Sequence, residues 1–371
     1  MNVRFLDLAR QTTALQPELD LAVHRVLSGS RFVGGEEVDA FEHEFASFCG
    51  AGYAIGVNSG TDALELALRG LDVGPGDEVI TAANTCVPTV AAIAAAGATP
   101  VLVDADAETM TLDPNRLEEV YGPRTRAIVP VHLYGRFVDM EPIIMFAHAR
   151  DLLVVEDVAQ AHGARRNSRR AGTWGDAAAF SFYPTKNLGA LGDAGAVVTS
   201  SGSVAERVRR LRTYGDAGDG AVERGRNSRL DPLQAAILRA KLPHLDGWNE
   251  RRRELAARYD AELAGLPLVL PRPSVDAEHV HHLYVVRAQR REHFRDRLAH
   301  GGVSTLVHYE RPIHHHPAYR SLARPGSLDT SERLSAEVVS LPLYPELRDE
   351  ELAWVFAAVH ASVSRRPRIA R

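Results

Sequence analysis

From Tyr53 onward the chain alternates short apolar runs with longer segments whose apolar positions recur at helical spacing. YAIGV precedes TDALELALRGL, DEVITA precedes VPTVAAIAAAG, TPVLVDAD precedes PNRLEEVYG, and RAIVPVHLYG precedes MEPIIMFAHARD, with LLVVEDVAQ following. Such alternation predicts an α/β fold: a mainly parallel sheet sandwiched by helices. Glycine and proline in LDVGPGDEV mark a connector between the first two units. Beyond Ser201 the pattern lengthens. The stretches 204–214 and 231–266 are charged and periodic, which predicts long helices, with a Gly-rich loop at 215–225 between them. After Pro271, HHLYVVRA predicts a strand, 291–300 a helix and 349–362 a final helix. We therefore divide the chain near residue 246, with a large domain over 1–245 and a smaller C-terminal α/β domain over 246–371.

Composition narrows the function classes. The 371 residues are 45% hydrophobic and 25% charged, an ordinary mixture for a globular protein. A net charge of −5 gives no electrostatic footprint for nucleic acid, and the arginines of WNERRRELAARYDAEL are matched by neighbouring acids. Two cysteines, Cys49 and Cys86, build neither a disulfide framework nor an iron–sulfur cluster. The N-terminus has no long apolar stretch, so no signal peptide or membrane span is expected and a cytoplasmic protein follows. The basic end, 364–371, reads as a frayed tail.

Of the 43 lysines and arginines, only Lys186 and Lys241 are lysine. Arginine stays protonated near neutral pH, so a retained lysine invites a chemical reading, although codon bias also removes lysines. The setting decides. Lys186 lies in FSFYPTKNLGALGDAG, after a strand-like run and before a Gly-rich stretch; Lys241 lies on a helical stretch without such neighbours and is expected to be structural. In VNSGTDALELAL, Gly60 and Thr61 open a helix directly after a strand, where free N–H groups and the helix dipole suit a phosphate; an ordinary capped turn is the alternative. Asp157 ends an apolar strand, where α/β sheets hold ligands, and a carboxylate there needs a positive partner. Locally, that partner is either an arginine or a protonated cofactor ring nitrogen. Lysine, strand-end aspartate and Ser-Gly-Thr cup are together the three parts that pyridoxal phosphate (PLP) requires.

The sequence resembles the DegT/DnrJ/EryC1 family of PLP-dependent nucleotide-sugar aminotransferases, of the aspartate-aminotransferase fold (PLP fold type I). The resemblance runs from Phe5 to Leu352 and is carried by FVGGEEVDAFEHEFA, NSGTDALELAL, PVHLYG, VEDVAQAHGA, SFYPTKNLGALGD and GRNSRLDPLQAAIL. It implies that Lys186 carries the cofactor covalently and then shuttles a proton, and that Asp157 keeps the pyridine nitrogen protonated. Gln160 would contact the ring hydroxyl, while Gly60, Thr61 and Ser181 would hold the phosphate. Asn227 would reach the phosphate of a neighbouring subunit, which implies a homodimer with shared sites.

Two positions depart from the family pattern. Cys86 stands where many members stack an aromatic on the cofactor ring, and Ala194 stands where glycine is usual, with less backbone freedom. Tyr183 and the GD pair after the lysine are similar to members that aminate C3 of dTDP-linked 3-keto-6-deoxyhexoses. The implied reaction moves an amino group from L-glutamate to such a sugar through pyridoxamine phosphate. Tyr309 and His314 are placed by the resemblance near the nucleotide-sugar.

Histidines 279, 281, 282 and 314–316 suggest metal ligands at first sight. Consecutive residues of an extended loop point opposite ways and no Cys or Glu set completes a zinc site, so no metal is expected. The alternatives are a 4-keto-sugar or keto-cyclitol aminotransferase using glutamine, a PLP-dependent sugar dehydratase, and a non-catalytic PLP-binding sensor. Dehydratases of the family replace the lysine or add an iron–sulfur cluster, and Lys186 with two cysteines fits neither. An NAD-dependent dehydrogenase lacks its GxGxxG after the first strand.

Overall fold

The computed structural model describes residues 1–275, 277–322 and 328–363; the basic tail at 364–371 lies outside the described residues. Three N-terminal helices, α1 (Leu8–Ala14), α2 (Gln16–Gly29) and α3 (Glu36–Cys49), precede the first strand. The central sheet contains β1 (Tyr53–Val57), β2 (Glu78–Ala82), β3 (Thr99–Val103), β4 (Thr125–Val129) and β5 (Leu153–Asp157). A short arginine hairpin follows, β6 (Arg165–Arg166) with β7 (Arg169–Arg170), before β8 (Ala177–Ser181) and β9 (Gly195–Thr199) return to the sheet. Its order is β1-β9-β8-β5-β4-β2-β3. Every pairing among β8, β5, β4, β2 and β3 is parallel, while β9 runs antiparallel to both its neighbours.

Strand β9 is an element of the central sheet that the hydrophobic pattern misses. GAVVT is five residues long and follows β8 through a glycine-rich loop instead of a helix, so it does not enter the βα rhythm. A strand reached without a helical crossover is free to run antiparallel, and this one does.

Helices α4 (Gly60–Gly70), α5 (Val87–Ala95), α6 (Leu117–Val120) and α7 (Met140–His148) are the crossovers between β1 and β5, and α8 (Gly202–Leu211) follows β9. Both sheet faces are buried, and the two-residue period of a strand divides them. Ile128, Val154, Ala178 and Val198 enter one core with Phe41, Phe45 and Leu238. Their neighbours Ala127, Val129, Val155, Ala177, Ala179 and Val197 enter a second core with Leu64, Leu68 and Val208.

The helical stretch expected over 231–266 is not continuous. Helix α9 (Pro232–Lys241) passes through a 3-10 turn at Leu242–His244 into α10 (Leu245–Leu263). Pro243 has no N–H for an α-helical bond, and the break falls there. A two-stranded antiparallel sheet, β10 (Tyr284–Arg287) with β11 (Val338–Leu341), packs with α10, α11 (Arg291–His300) and α13 (Asp349–Val363) in a third core. Helix α12 (Asp329–Glu337) leads directly into β11. Val3, at the other end of the chain, is buried in this third core and bridges to Val303. Among the described residues, no helix is long and apolar enough to cross a membrane.

Candidate active site

The carboxyl ends of the parallel strands open onto one cavity, lined by Ser59, Gly60, Thr61, Leu64, Cys86, Pro88, Thr89, Asp157, Ala159, Ser181, Tyr183, Lys186 and Asp193. Seven of the positions singled out in the sequence therefore converge: Gly60, Thr61, Cys86, Asp157, Ser181, Tyr183 and Lys186.

The floor is set by strand geometry. Glu156 and Asp157 are consecutive in β5, so their side chains leave opposite faces of the sheet. Glu156 turns inward, where it accepts from the backbone N–H groups of Gly172, Trp174 and Gly175 at 2.9, 2.7 and 2.9 Å. His132 Nδ1 accepts from the Val138 N–H at 3.0 Å, so its Nε2 carries the proton and donates to Glu156 Oε2 at 3.0 Å. Asp157 faces the cavity. Its Oδ1 accepts from the Ala159 N–H at 3.1 Å and its Oδ2 from the Thr89 hydroxyl at 2.9 Å. Burial pushes its carboxyl above the usual range, while these two donors and the charge of Lys186 pull it back.

Lys186 sits in the β8–β9 loop, its backbone N–H held by the Tyr183 carbonyl at 2.8 Å. Burial lowers the ammonium's pKa, opposed by the negative charge available at Cys86 and Asp157. A depressed amine is what a nucleophilic lysine needs. Behind this loop Lys241 is 2% exposed and its Nζ donates to the Gly189 carbonyl at 2.8 Å; burial takes it down to about 8.

The opposite wall is the start of α4. Ser59 caps the helix, its side chain accepting from the Asp62 N–H at 3.1 Å. The N–H groups of the first turn, Gly60 and Thr61 included, have no acceptor within the helix. Asp62, which would repel an anion here, is turned away to accept from the Ser228 hydroxyl at 2.7 Å and to pair with Arg226 at 3.3 Å. Glycine is required at 60: a Cβ there would stand 2.4 Å from the Ser181 Cβ. The close approach brings the Ser181 hydroxyl beside the free N–H groups, a set of donors that fits a phosphate. The residues thus suit all three parts of the cofactor, its phosphate, ring nitrogen and aldehyde.

Other expected positions lie around this cavity. Gln160 is buried, with Oε1 accepting from the Tyr134 N–H at 2.6 Å and Nε2 donating to the Tyr309 hydroxyl at 2.9 Å. Tyr309 lines an adjoining cleft with Thr85, Val87, Val307, Glu310, Arg311 and His316. Cys86 does leave the cavity without an aromatic ring at its position, and Ala194 is buried in the core without a positive φ.

Two expected residues are not brought to the cavity of their own chain. Asn227 is exposed, its Oδ1 accepting from Arg229 Nε at 3.1 Å. His314 lies in a 3-10 turn at Ile313–His315, with Nε2 3.0 Å from Glu332 Oε1. His315 Nε2 approaches the same oxygen to 3.3 Å. The expectation that consecutive histidines diverge is corrected here: the segment is a 3-10 turn instead of an extended loop, and Glu332, 18 residues after His314, supplies the carboxylate that local spacing did not show. In the sequence, Ser59 and Asp193 stand out only within the Ser-Gly-Thr cup and the GD pair, and Thr89 not at all. Serine before GT is an N-cap signal that could have been read; Thr89, inside an apolar helix, carries no such mark.

A strand-end carboxylate, a loop lysine and a capped helix N-terminus around one cavity define a PLP enzyme of the aminotransferase fold. The model of the DegT/DnrJ/EryC1/StrS aminotransferase family matches residues 14–360, and the chain belongs to that family. It is a PLP-dependent aminotransferase. A dTDP-3-amino-3,4,6-trideoxy-alpha-D-glucose transaminase of Streptomyces venezuelae is 49% identical over 98% of this chain and 97% of its own length. The crystal structure of S. venezuelae DesV in complex with a ketimine intermediate superimposes with a TM-score of 0.96 at 48% identity, covering 99% of this chain and 100% of that one. A Bacillus subtilis structure with bound pyridoxamine phosphate, NtdA, is 32% identical with a TM-score of 0.91, covering 98% of this chain and 85% of that one.

Proposed function

We propose that the protein transfers an amino group from L-glutamate to C3 of a dTDP-linked 3-keto-6-deoxyhexose, in the biosynthesis of an amino sugar. The observation that carries this reading is the likeness over nearly the whole chain to a transaminase named for a dTDP-3-amino sugar. Tyr183, half exposed at the cavity wall, supports it as a residue available to a large substrate.

In this reading, PLP when bound supplies an electron sink and a carrier for the amino group. Lys186 would hold the cofactor through its amine, and that same amine is placed to accept and return a proton at the substrate carbon. Asp157, oriented by two donors that favour its charged form and facing the cavity, would hold a proton on the ring nitrogen. Ser59, Gly60, Thr61 and Ser181 would hold the phosphate, at the opposite wall of the cavity from Lys186 and Asp157. Gln160 and Tyr309 close the side next to the adjoining cleft, which is where the nucleotide-sugar would enter. His314 would then act from outside the cavity, through the turn that follows Tyr309.

The exposure of Asn227 supports a homodimer in which it serves the second copy's phosphate site. The separate third core supports a division of the chain near residue 246, with Val3 packed on the C-terminal side of it. A nucleotide-linked acceptor fits a cytoplasmic enzyme.

The test is to incubate purified holoenzyme with L-glutamate, and in parallel L-glutamine, and a panel of dTDP-keto sugars, identifying products by NMR. Amination at C3 with glutamate is expected. Failure to aminate any dTDP-keto sugar removes the proposal, and reaction only with a 4-keto sugar or keto-cyclitol replaces it.

A further inference from the structure

We propose that Thr89 is a positioning residue for Asp157, and that the Thr85 hydroxyl fixes the direction in which Thr89 acts; this rests on the reading of Asp157 as the partner of the cofactor ring nitrogen. Thr89 Oγ1 lies within hydrogen-bond reach of two oxygens, Asp157 Oδ2 at 2.9 Å and Thr85 Oγ1 at 2.9 Å, and 3.6 Å from Cys86 Sγ. A threonine hydroxyl has one proton to give and two lone pairs to offer. An ionised carboxylate only accepts, so the Thr89 proton goes to Asp157. Thr85 is then the donor to Thr89, because Thr89 has nothing left to donate. The result is a one-way chain, Thr85 to Thr89 to Asp157.

The chain is built from one helix start. Thr85 precedes the N-cap of α5, Cys86, and Thr89 occupies its first turn. The extended N-cap between them turns the chain so that the two hydroxyls meet at 2.9 Å. Thr85 and Thr89 are each 1% exposed, and Thr89 also lines the cavity. Asp157 is therefore gripped from two elements, Oδ2 by α5 and Oδ1 by the Ala159 N–H of its own loop at 3.1 Å. Turning the carboxylate about its last torsion would break both bonds. Each oxygen keeps a lone pair free of the protein, and the group lines the cavity, so a ring nitrogen meets a carboxylate already oriented. Donors directed at the ionised form also favour the charge that the ring nitrogen needs.

A space-filling role makes a different prediction, and valine separates the two because it matches threonine in shape without the hydroxyl. The full-length holoenzyme is compared with Thr89→Val, Thr89→Ser and Thr85→Val for pyridoxal phosphate affinity, the pH dependence of the bound cofactor's absorbance, and kcat and KM. Thr89→Val should weaken cofactor binding about tenfold, as expected for a buried acceptor deprived of its donor. It should also shift the absorbance titration and lower kcat more than KM. Thr89→Ser should restore all three, and Thr85→Val should move them in the same direction by less. Thermal melts follow folding; if Thr89→Val does not fold, the Thr85→Val and Thr89→Ser results decide. Wild-type affinity and an unshifted absorbance titration in folded Thr89→Val, or in Thr85→Val where Thr89→Val does not fold, overturn the proposal. Loss in Thr89→Ser equal to that in Thr89→Val also overturns it. If the wild-type protein itself binds no pyridoxal phosphate, it is the functional reading that fails.

Discussion

Gln160 donates through Nε2 to the Tyr309 hydroxyl at 2.9 Å while its Oε1 accepts from the Tyr134 N–H at 2.6 Å. One amide side chain thus ties together the loop after β5, the loop after β4 and a segment 149 residues downstream. The Tyr134 hydroxyl adds a bond to the His308 carbonyl, next to Tyr309. The cavity floor and the adjoining cleft are in this way held in one register, and the deep burial of Tyr309 raises its pKa well above the usual value, keeping it a neutral hydroxyl.

Tyr309→Phe keeps the ring and removes the acceptor. A net hydrogen bond is worth about 1 kcal/mol, so KM for the nucleotide-sugar should rise roughly fivefold with cofactor absorbance unchanged. Steady-state kinetics beside an absorbance spectrum check this; an unchanged KM would remove Tyr309 from the acceptor side of the site.

Much of this arrangement is legible in the sequence, and the reason is that its parts are local. The Ser-Gly-Thr cup, the strand-end Asp157 and the Lys186 loop each announce themselves through residues within a few positions of one another. What is not legible depends on distant neighbours. Gln160 meets Tyr309 across 149 residues, and Glu332 meets His314 across 18. Thr89 becomes notable only once α5 is laid against the end of β5. The antiparallel strand β9 escapes because the helical rhythm that reveals its parallel neighbours is absent, and the break at Pro243 because a charged periodic pattern continues across it.

The two cysteines differ in access. Cys49 is 4% exposed with its thiol pushed up by burial, whereas Cys86 is partly exposed and lines the cavity. The thiolate is the reactive form, so a small alkylating reagent should label Cys86 alone in the folded apoprotein, and bound pyridoxal phosphate should slow that labelling. Intact-mass and peptide mapping read both; equal labelling with and without cofactor would place Cys86 away from it.

Acid should destabilise the protein early. Burial lowers His281 and His162 to about 3 and His308 to about 4, with nearby arginine or lysine charge adding to it, and pushes His279 and His282 well below the usual value. A depressed folded pKa means that stability is complete above the unfolded value, near 6.5, and falls as protons bind the unfolded chain. Each such histidine removes about 1.4 kcal/mol per pH unit below 6.5. Melting temperature measured from pH 7.5 to 5 should hold to about 6.5 and drop steadily below it; a flat profile to pH 5 contradicts the buried neutral cluster.

A second acid response belongs to the junction of the chain ends. Arg10 on α1 grips Glu351 on α13 with two bonds, at 2.7 and 2.6 Å, and this outweighs the opposing effect of burial and lowers the Glu351 carboxyl from 4.5 to about 2. The stabilisation is present above pH 4.5 and lost as pH falls toward 2. Glu351→Gln should cost about 2 kcal/mol at pH 7, because it leaves the half-buried Arg10 with only the Asp7 carboxylate at 3.6 Å and the Glu346 carbonyl at 3.1 Å. Denaturant unfolding measures it, and a cost below about 0.5 kcal/mol would reduce the pair to an ordinary surface bridge.

The central claim is that Lys186 carries the cofactor. Holoprotein is reduced with borohydride, digested and mapped by mass spectrometry, with Lys186→Ala and Lys241→Met in parallel. With only two lysines in the chain, the outcome is nearly binary. The account predicts the pyridoxyl mass on the peptide containing Lys186, retained in Lys241→Met and abolished in Lys186→Ala; the adduct on Lys241, or none on either lysine, would contradict it.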